Sequence, residues 1–364
     1  MGPSFVALLR SHNLLVRALA IVIHVYLVFI VLDSCLYFYK PISRRVASRS
    51  QFIASGKLVG PEDMAYEEGA NVLYASCSGG WIKRLAINES SSHWNVEDWV
   101  NTGGRPLGIA LRRDADGIVV ADAYKGLLGI SKEGVTEVLV DEADGVKFKL
   151  TDGVDVAFDG TIYFTDASYK YSLEDSEIDV IEGIPNGRLM SFDPITRKTK
   201  VLIPATYFGN GVAVAPDQNS IVFCETSLLR CNRHFIQGEK KGTTEILVEN
   251  LPGFPDNIRY DGHGHYLIGL PIAVTFSTRL ATRYPLLRNI MAFIVKHVAR
   301  ISFAKDAGIL VVDLEGRPVA HYSDPGFKYI TGGILIGNHL YLGSLHRPHI
   351  IRLEVSWSSW RASS

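Results

Sequence analysis

A short pattern recurs six times along the chain and constrains the fold more than any other feature. Each copy places a polar or turn-forming residue just before a short alternating apolar strand. A glycine-containing turn and a second apolar strand usually follow, as in residues 151–156 and 161–165. The equivalent positions, here called the blade-start residues, are Glu62, Leu107, Asp152, Asn210, Asp256 and Thr331, spaced 45, 45, 58, 46 and 75 residues apart. Because a period of roughly 40–50 residues with about four strands is typical of a β-propeller, we predict an all-β fold, a six-bladed β-propeller over residues 60–355.

In a propeller, the innermost strand of each blade lines the central channel, so equivalent positions of different blades converge. Glu62, Asp152, Asn210 and Asp256 are distant in sequence and would meet near this axis. Three carboxylates and a carboxamide form a set of hard oxygen ligands that suits calcium. The alternative is that each Asp or Asn only stabilises a turn beside a glycine. Their recurrence at one repeat position favours a metal or substrate site.

Composition limits the classes of partner. The chain has 364 residues, of which 47% are hydrophobic, enough for one large domain plus an appendage. Its formal net charge is −1 and no long run of Lys and Arg is present. We therefore expect no nucleic-acid partner.

The N-terminal region carries an apolar stretch, residues 14–32, about long enough to cross a bilayer. The residues after it lack a clear cleavage site, so we expect an uncleaved signal anchor and transmembrane helix within residues 1–40. A juxtamembrane linker over 41–59 and a C-terminal tail over 356–364 complete the predicted organisation. The predicted partners are a membrane, through this anchor, and a small-molecule substrate.

Two signals disagree about the side of the membrane on which the propeller lies. Four basic residues within 40–49 follow the apolar stretch, whereas only Arg10 and Arg17 lie towards its N-terminal side. The positive-inside rule then favours the cytoplasm. A glycosylation sequon at Asn88, in a polar stretch typical of an exposed loop, favours the lumen of the secretory pathway.

The spacing of Cys224 and Cys231 suggests a hairpin. If residues 227–228 form its turn, Cys224 faces Cys231 and Glu225 faces Arg230. Directly opposed Cβ atoms lie within about 5.5 Å, close to the reach of a disulfide. Two reduced thiols on one face are the alternative.

The longest spacing, between Asp256 and Thr331, contains a segment with helical periodicity over residues 284–300. We predict a helical insertion in the fifth blade, starting near Pro285. One helical face collects the apolar side chains, with Arg288 elsewhere. It could pack on the propeller, close the channel as a lid, or lie on a membrane surface. The residues of this apolar face are Leu287, Ile290, Met291, Ile294 and Val298.

Several runs of sequence resemble the strictosidine synthase-like family. The most specific are Thr-Asp-Gly-Val-Asp-Val at 151–156 with Ile-Tyr-Phe-Thr-Asp-Ala-Ser at 162–168, and Asn-Gly-Arg-Leu-Met-Ser-Phe-Asp-Pro at 186–194. The runs 210–213, 222–226 and 251–259 are also similar, the last two to plant members in particular. The resemblance covers about residues 60–355 and implies a six-bladed propeller on the lumenal side of the membrane, in the endoplasmic reticulum or vacuole. The same superfamily includes adipocyte plasma membrane-associated protein, paraoxonases and gluconolactonase-like proteins.

The resemblance also implies which catalytic groups are missing. Strictosidine synthases use a glutamate just upstream of the Leu-Tyr-x-Gly strand of the last blade, and matching that strand to residues 340–343 places Thr331 at the glutamate position. A threonine cannot titrate near neutral pH as an acid/base group. Paraoxonases use a histidine in a Pro-His-Gly-Ile motif, where this chain has Leu107.

The paraoxonase comparison supports the metal hypothesis. The calcium ligands of paraoxonases fall on Glu62, Asp152, Asn210, Asp256 and Asn257. A bound metal would polarise a carbonyl for attack by water, with Glu62 or Asp256 as base. We expect a calcium-dependent hydrolase of small lactones or esters. The alternatives are an amine–aldehyde condensing enzyme or lyase and a non-catalytic binding propeller.

Overall fold

The structure is a computed structural model that describes residues 44–46, 50–87, 94–114, 116–297, 308–324 and 326–355. Its main strands form six sheets, and the innermost strands of consecutive sheets contact one another in a closed ring. The predicted six-bladed β-propeller is therefore confirmed. The sequence positions for Asn88, the N-terminal apolar stretch and the C-terminal tail lie outside the described residues.

The first four blades each consist of four consecutive antiparallel strands. Blade 1 contains β3 (Met64–Glu67), β4 (Val72–Ser76), β5 (Trp81–Ala86) and β6 (Val96–Asn101). Blade 2 contains β7 (Pro106–Leu111), β8 (Ile118–Asp122), β9 (Gly126–Ile130) and β10 (Thr136–Val140), followed by a small hairpin of β11 (Glu142–Ala143) and β12 (Val146–Lys147). Blade 3 contains β13 (Thr151–Val156), β14 (Ile162–Asp166), β15 (Gly187–Asp193) and β16 (Lys198–Thr206). Blade 4 contains β17 (Gly209–Val214), β18 (Ser220–Glu225), β19 (Arg230–Phe235) and β20 (Thr244–Val248).

The last two blades combine strands from both ends of the described chain. Blade 5 contains β21 (Ile258–Tyr260), β22 (His265–Leu270), β23 (Gly308–Asp313) and β24 (Pro318–Ser323), and β1 (Arg44–Val46) pairs in parallel with β24. Blade 6 contains β25 (Ile330–Ile336), β26 (His339–Ser344), β27 (Ile350–Glu354) and, as its outer strand, β2 (Ser50–Ile53). The prediction of a linker over residues 41–59 is thus wrong for β1 and β2. Strand β2 is too short and polar to carry a clear periodic signal, and only its pairing with β27 defines it.

Two packing features hold the blades together around the channel. Apolar side chains of neighbouring sheets form shared clusters, such as Val119 of blade 2 with Val156 and Phe164 of blade 3. Near the axis, glycines let the innermost strands approach closely. A Cβ atom on Gly153 would lie 2.6 Å from the carbonyl oxygen of Asn210, so a side chain there would push apart the strands that position the blade-start residues.

Three α-helices of the described residues lie on loops between strands. Helix α1 (Ser176–Glu182) follows β14, and helices α2 (Phe276–Arg283) and α3 (Pro285–His297) lie between β22 and β23. A capping box of Thr275 and Thr278 begins α2. Among the described residues, no helix is long and apolar enough to cross a membrane.

The packed face of α3 differs from the predicted one. Ile290, which we placed on the apolar face, is 48% exposed, whereas Arg288, Ala292 and Val295 are buried. The expectation that Arg288 lies away from the packed face is wrong. Hydrophobic periodicity misleads here because the buried arginine is stabilised by backbone carbonyl groups of neighbouring segments.

The hairpin of β18 and β19 has the register that the cysteine spacing suggested. Glu225 pairs with Arg230 and Cys224 with Cys231, and the two cysteines form a disulfide. The turn is a single 3₁₀ turn, Thr226–Leu228, closed by Leu229 in a left-handed conformation, rather than a two-residue turn.

Candidate active site

A cavity of about 210 Å³ is lined by four of the predicted ligands, Glu62, Asp152, Asn210 and Asp256. We call these four side chains the floor of the cavity. They come from four different blades, because each stands at or just before the innermost strand of its blade. The other walls are mainly apolar and include Leu107, Phe208, Phe254, Ile272 and Leu345. The cavity therefore combines the polar side chains of the floor with walls that are mainly, but not wholly, apolar.

Residues of all three helices also line the cavity, and we call these helices the roof. Val180 of α1, Ala281 of α2 and Met291 of α3 all line the cavity. The guanidinium of Arg288 on α3 donates to the carbonyl oxygens of Ala281 and Thr282 in α2, at 3.3 and 3.1 Å. It also donates to the carbonyl of Ser227 at 3.2 Å and, at 3.4 Å, to that of Gly183 at the end of α1. One side chain thus joins three segments of the roof.

The floor carboxyl groups resist ionisation. Burial is the largest cause of the raised pKa of Glu62, and repulsion from Asp256 and Asp152 adds to it. Burial and the nearby Asp63 raise the pKa of Asp152 to about 7, and burial followed by repulsion from Asp152 raises the pKa of Asp256. The buried guanidinium of Arg105 opposes this effect at Glu62 and Asp152. A bound cation would relieve the repulsion.

Hydrogen bonds orient part of the floor and leave two oxygens without partners. The amide nitrogen of Asn257 donates to Oε1 of Glu62 at 2.6 Å. Hydrogen bonding from Asn210 favours the ionised form of Asp256. Oε2 of Glu62 and Oδ1 of Asn210 are buried and have no hydrogen-bond partner within the described part of the chain. Buried polar oxygens without a donor are costly, and both are suited to bind a cation.

The donor set of carboxylate and carboxamide oxygens has the chemistry of a site for a hard cation. Among the described residues, no three His, Cys, Asp or Glu side chains lie close enough together to form a cation cage. Two of the five predicted ligands, Asn210 and Asn257, are amides. The amide of Asn257 presents its nitrogen to Glu62 in this structure, and rotation by about half a turn would present its oxygen instead.

Leu107 and Thr331, the two positions at which the resemblance implies a missing catalytic group, also lie at this site. Leu107 lines the cavity wall. Thr331 is buried beside the floor, and its hydroxyl donates to the backbone carbonyl of Glu62 at 2.5 Å. Neither residue brings a titratable group to the cavity.

Sequence reasoning missed three aromatic residues of the cavity, Phe208, Phe254 and Tyr329. Phe208 and Tyr329 each stand two residues before a blade-start residue, and both have left-handed backbone conformations, with φ of 56° and 57°. Gly60 occupies the same place before Glu62 with φ of 56°. Bulky residues are rarely held in this conformation except where the surrounding structure requires them. Aligning the positions before the blade starts would have revealed these aromatic residues.

Comparison with known proteins places the chain in a family. A strictosidine synthase family model matches residues 152–239, and a model for the N-terminal part of strictosidine synthase-like proteins matches residues 48–85. Protein STRICTOSIDINE SYNTHASE-LIKE 6 of Arabidopsis thaliana is 50% identical over 315 residues, covering 86% of this chain and 84% of the relative. The chain belongs to the strictosidine synthase-like family. Human adipocyte plasma membrane-associated protein is 32% identical over 335 residues, covering 84% of this chain and 78% of the relative.

Solved structures agree on the fold of this strictosidine synthase-like protein. A gluconolactonase from Xanthomonas campestris matches with a TM-score of 0.60 at 14% identity, covering 85% of this chain and 91% of the other. The calcium-binding protein regucalcin from Agrobacterium tumefaciens matches with a TM-score of 0.60 at 12% identity, covering 86% and 96%. At such identities the likeness establishes the propeller fold alone.

Proposed function

We propose that this strictosidine synthase-like protein is a calcium-dependent hydrolase of small lactones or esters. The observation that carries the proposal is a pair of buried oxygens, on Glu62 and Asn210, that have no hydrogen-bond partner among the described residues and belong to the lining of a mainly apolar cavity. A gluconolactonase and a calcium-binding regucalcin share its fold. Lactones and small esters combine one polar reacting group with an apolar remainder, which matches the distribution of polarity in the cavity.

Calcium would be held by Glu62, Asp152, Asn210, Asp256 and Asn257. A bound calcium ion would supply Lewis-acid polarisation of the substrate carbonyl. It would also stabilise the ionised floor carboxylates, whose burial and mutual repulsion otherwise raise their pKa values.

The chain's own residues would bind the substrate and move the proton. The apolar walls hold the non-reacting part of the substrate, and the helical roof limits access of bulk water to the floor. We assign proton uptake from the attacking water to Glu62 or Asp256, the two candidates on the floor. We favour Glu62, because it lines the cavity and its Oε2 has no hydrogen-bond partner among the described residues.

The proposed location is the lumen of the secretory pathway, in the endoplasmic reticulum or vacuole, with the apolar stretch 14–32 as membrane anchor. The disulfide between Cys224 and Cys231 supports this location, because disulfides persist in oxidising compartments.

The test is a panel of lactones and esters assayed with calcium and with a chelator. We expect turnover that is lost on chelation and reduced at least 100-fold in Glu62→Gln. Glu245→Gln, an exposed residue of blade 4, is the matched control and should keep wild-type activity. Turnover that is changed neither by the chelator nor by Glu62→Gln would overturn the proposal. Calcium binding without any turnover would favour a non-catalytic propeller.

A further inference from the structure

Hydroxyl groups bridge several junctions between blades at the level of the floor. In each case the hydroxyl of one blade donates to a backbone carbonyl at the start of the next blade. The four bonds run from Ser76 to Leu107 at 2.5 Å, from Thr165 to Asn210 at 2.7 Å, from Thr226 to Pro255 at 2.7 Å and from Thr331 to Glu62 at 2.5 Å. Three of the acceptors are proposed ligands or, for Pro255, the residue directly before one.

Thr331 differs from the other three donors. Ser76 and Thr165 lie on the second strand of their blades and Thr226 directly follows one, whereas Thr331 lies on the innermost strand of blade 6. Its hydroxyl holds the carbonyl of Glu62 in blade 1, and its own carbonyl accepts the backbone N–H of Asn257 in blade 5 at 2.9 Å. Blade 6 supplies no proposed ligand, but its blade-start residue contacts the backbones of two ligands from the blades on either side.

The side chains of those two ligands also meet each other. Asn257 donates to Glu62 at 2.6 Å across the space beside Thr331. Thr331 is only 1% exposed, so water cannot readily replace its hydroxyl as donor to Glu62. A valine would fill the same volume and leave the carbonyl of Glu62 without this donor.

We propose that Thr331 is a positioning residue for the metal centre, setting the backbone of Glu62 relative to Asn257 so that both reach one cation. This inference rests on the proposed calcium site. It gives Thr331 a function that needs no titration, at the position where strictosidine synthases carry a glutamate.

The test measures calcium affinity by calorimetry on purified protein, with unfolding temperature in chelator as a separate readout. Thr331→Val should weaken calcium binding about tenfold, the effect of misplacing a ligand by the loss of one buried hydrogen bond. Thr331→Ser keeps the donor and should bind within about twofold of wild type. If Thr331→Val does not fold, Thr331→Ala replaces it in the comparison with Thr331→Ser.

Thr206→Val is the matched control. Thr206 is also buried, and its hydroxyl has no hydrogen-bond partner in the described ranges, so calcium affinity should not change. Wild-type affinity in Thr331→Val, or equal weakening in Thr331→Ser, would overturn the positioning role while leaving the calcium site intact. A wild-type protein that binds no calcium would overturn the site itself and this inference with it.

Discussion

Removing one floor carboxylate should stabilise the calcium-free protein. Asp152 is buried, and its pKa in the folded state is raised to about 7 from an ordinary value of 3.8. As pH rises above about 4, the unfolded chain loses this proton while the folded state keeps it, so folding becomes less favourable until pH passes about 7. At pH 8 the raised pKa of Asp152 therefore lowers the free energy of unfolding by about 4 kcal/mol, at about 1.4 kcal/mol per pKa unit.

Asp152→Asn keeps the shape and removes the charge, so it should raise the free energy of unfolding in chelator at pH 8 by up to about 4 kcal/mol. At pH 4 the gain should fall to roughly 0.5 kcal/mol, because wild-type Asp152 is then protonated in the folded state and about half protonated in the unfolded chain. The assay is urea unfolding followed by tryptophan fluorescence at both pH values. In the presence of calcium the order should reverse, because the variant loses a ligand.

Asp166→Asn is the matched control for this prediction. Asp166 is equally buried and lies on the adjacent strand, but it is paired with Arg188 at 2.7 Å. Its neutralisation leaves the buried guanidinium of Arg188 without its charged partner, so it should destabilise by about 3 kcal/mol or more. If Asp152→Asn also destabilises the calcium-free protein at pH 8, burial and the nearby Asp63 do not make the ionised carboxylate of Asp152 unfavourable, and our reasoning about it fails.

Three further outcomes are expected. Wild-type protein incubated with tryptamine and secologanin should form no more than traces of strictosidine by mass spectrometry, because Thr331 cannot act as an acid/base group; robust turnover would show that its assignment is wrong. Asn88→Gln should abolish a glycosidase-sensitive mobility shift if the propeller is lumenal, and full protease access from the cytosolic side of sealed vesicles would contradict that location. Arg288→Met should lower the free energy of unfolding by about 2 kcal/mol, because the hydrogen bonds that join the helices of the roof are lost. It should also raise KM more than it lowers kcat. An unchanged KM would show that the roof does not shape the cavity.

The repeat was sufficient to predict the fold and the position of the floor. Equivalent residues of a propeller must converge, and Glu62, Asp152, Asn210 and Asp256 do line one cavity. The spacing of these residues in the sequence, however, does not show which neighbouring groups form hydrogen bonds with them. The bond from Asn257 to Glu62 and the hydroxyl of Thr331 on the Glu62 backbone depend on contacts between blades 5, 6 and 1, which only the closed ring creates.

The roof and the blade edges were less predictable for a different reason. Arg288 is buried because helix ends and a turn offer it four carbonyl groups, an environment that hydrophobic periodicity does not encode. Strand β2 joins blade 6 by pairing with β27, almost 300 residues away in sequence. Such long-range pairing carries little local signal, so the propeller begins earlier than residue 60.

The most direct test of the calcium site is the unfolding temperature of purified protein in chelator and in excess calcium. A ligand that binds only the folded state at about 100 times its Kd adds about 2.7 kcal/mol, so calcium should raise the midpoint by several degrees in wild type. The same addition should have no effect on Asp256→Ala, which removes a floor ligand. An unfolding temperature that is identical in chelator and in calcium would contradict the assignment of the floor as a calcium site.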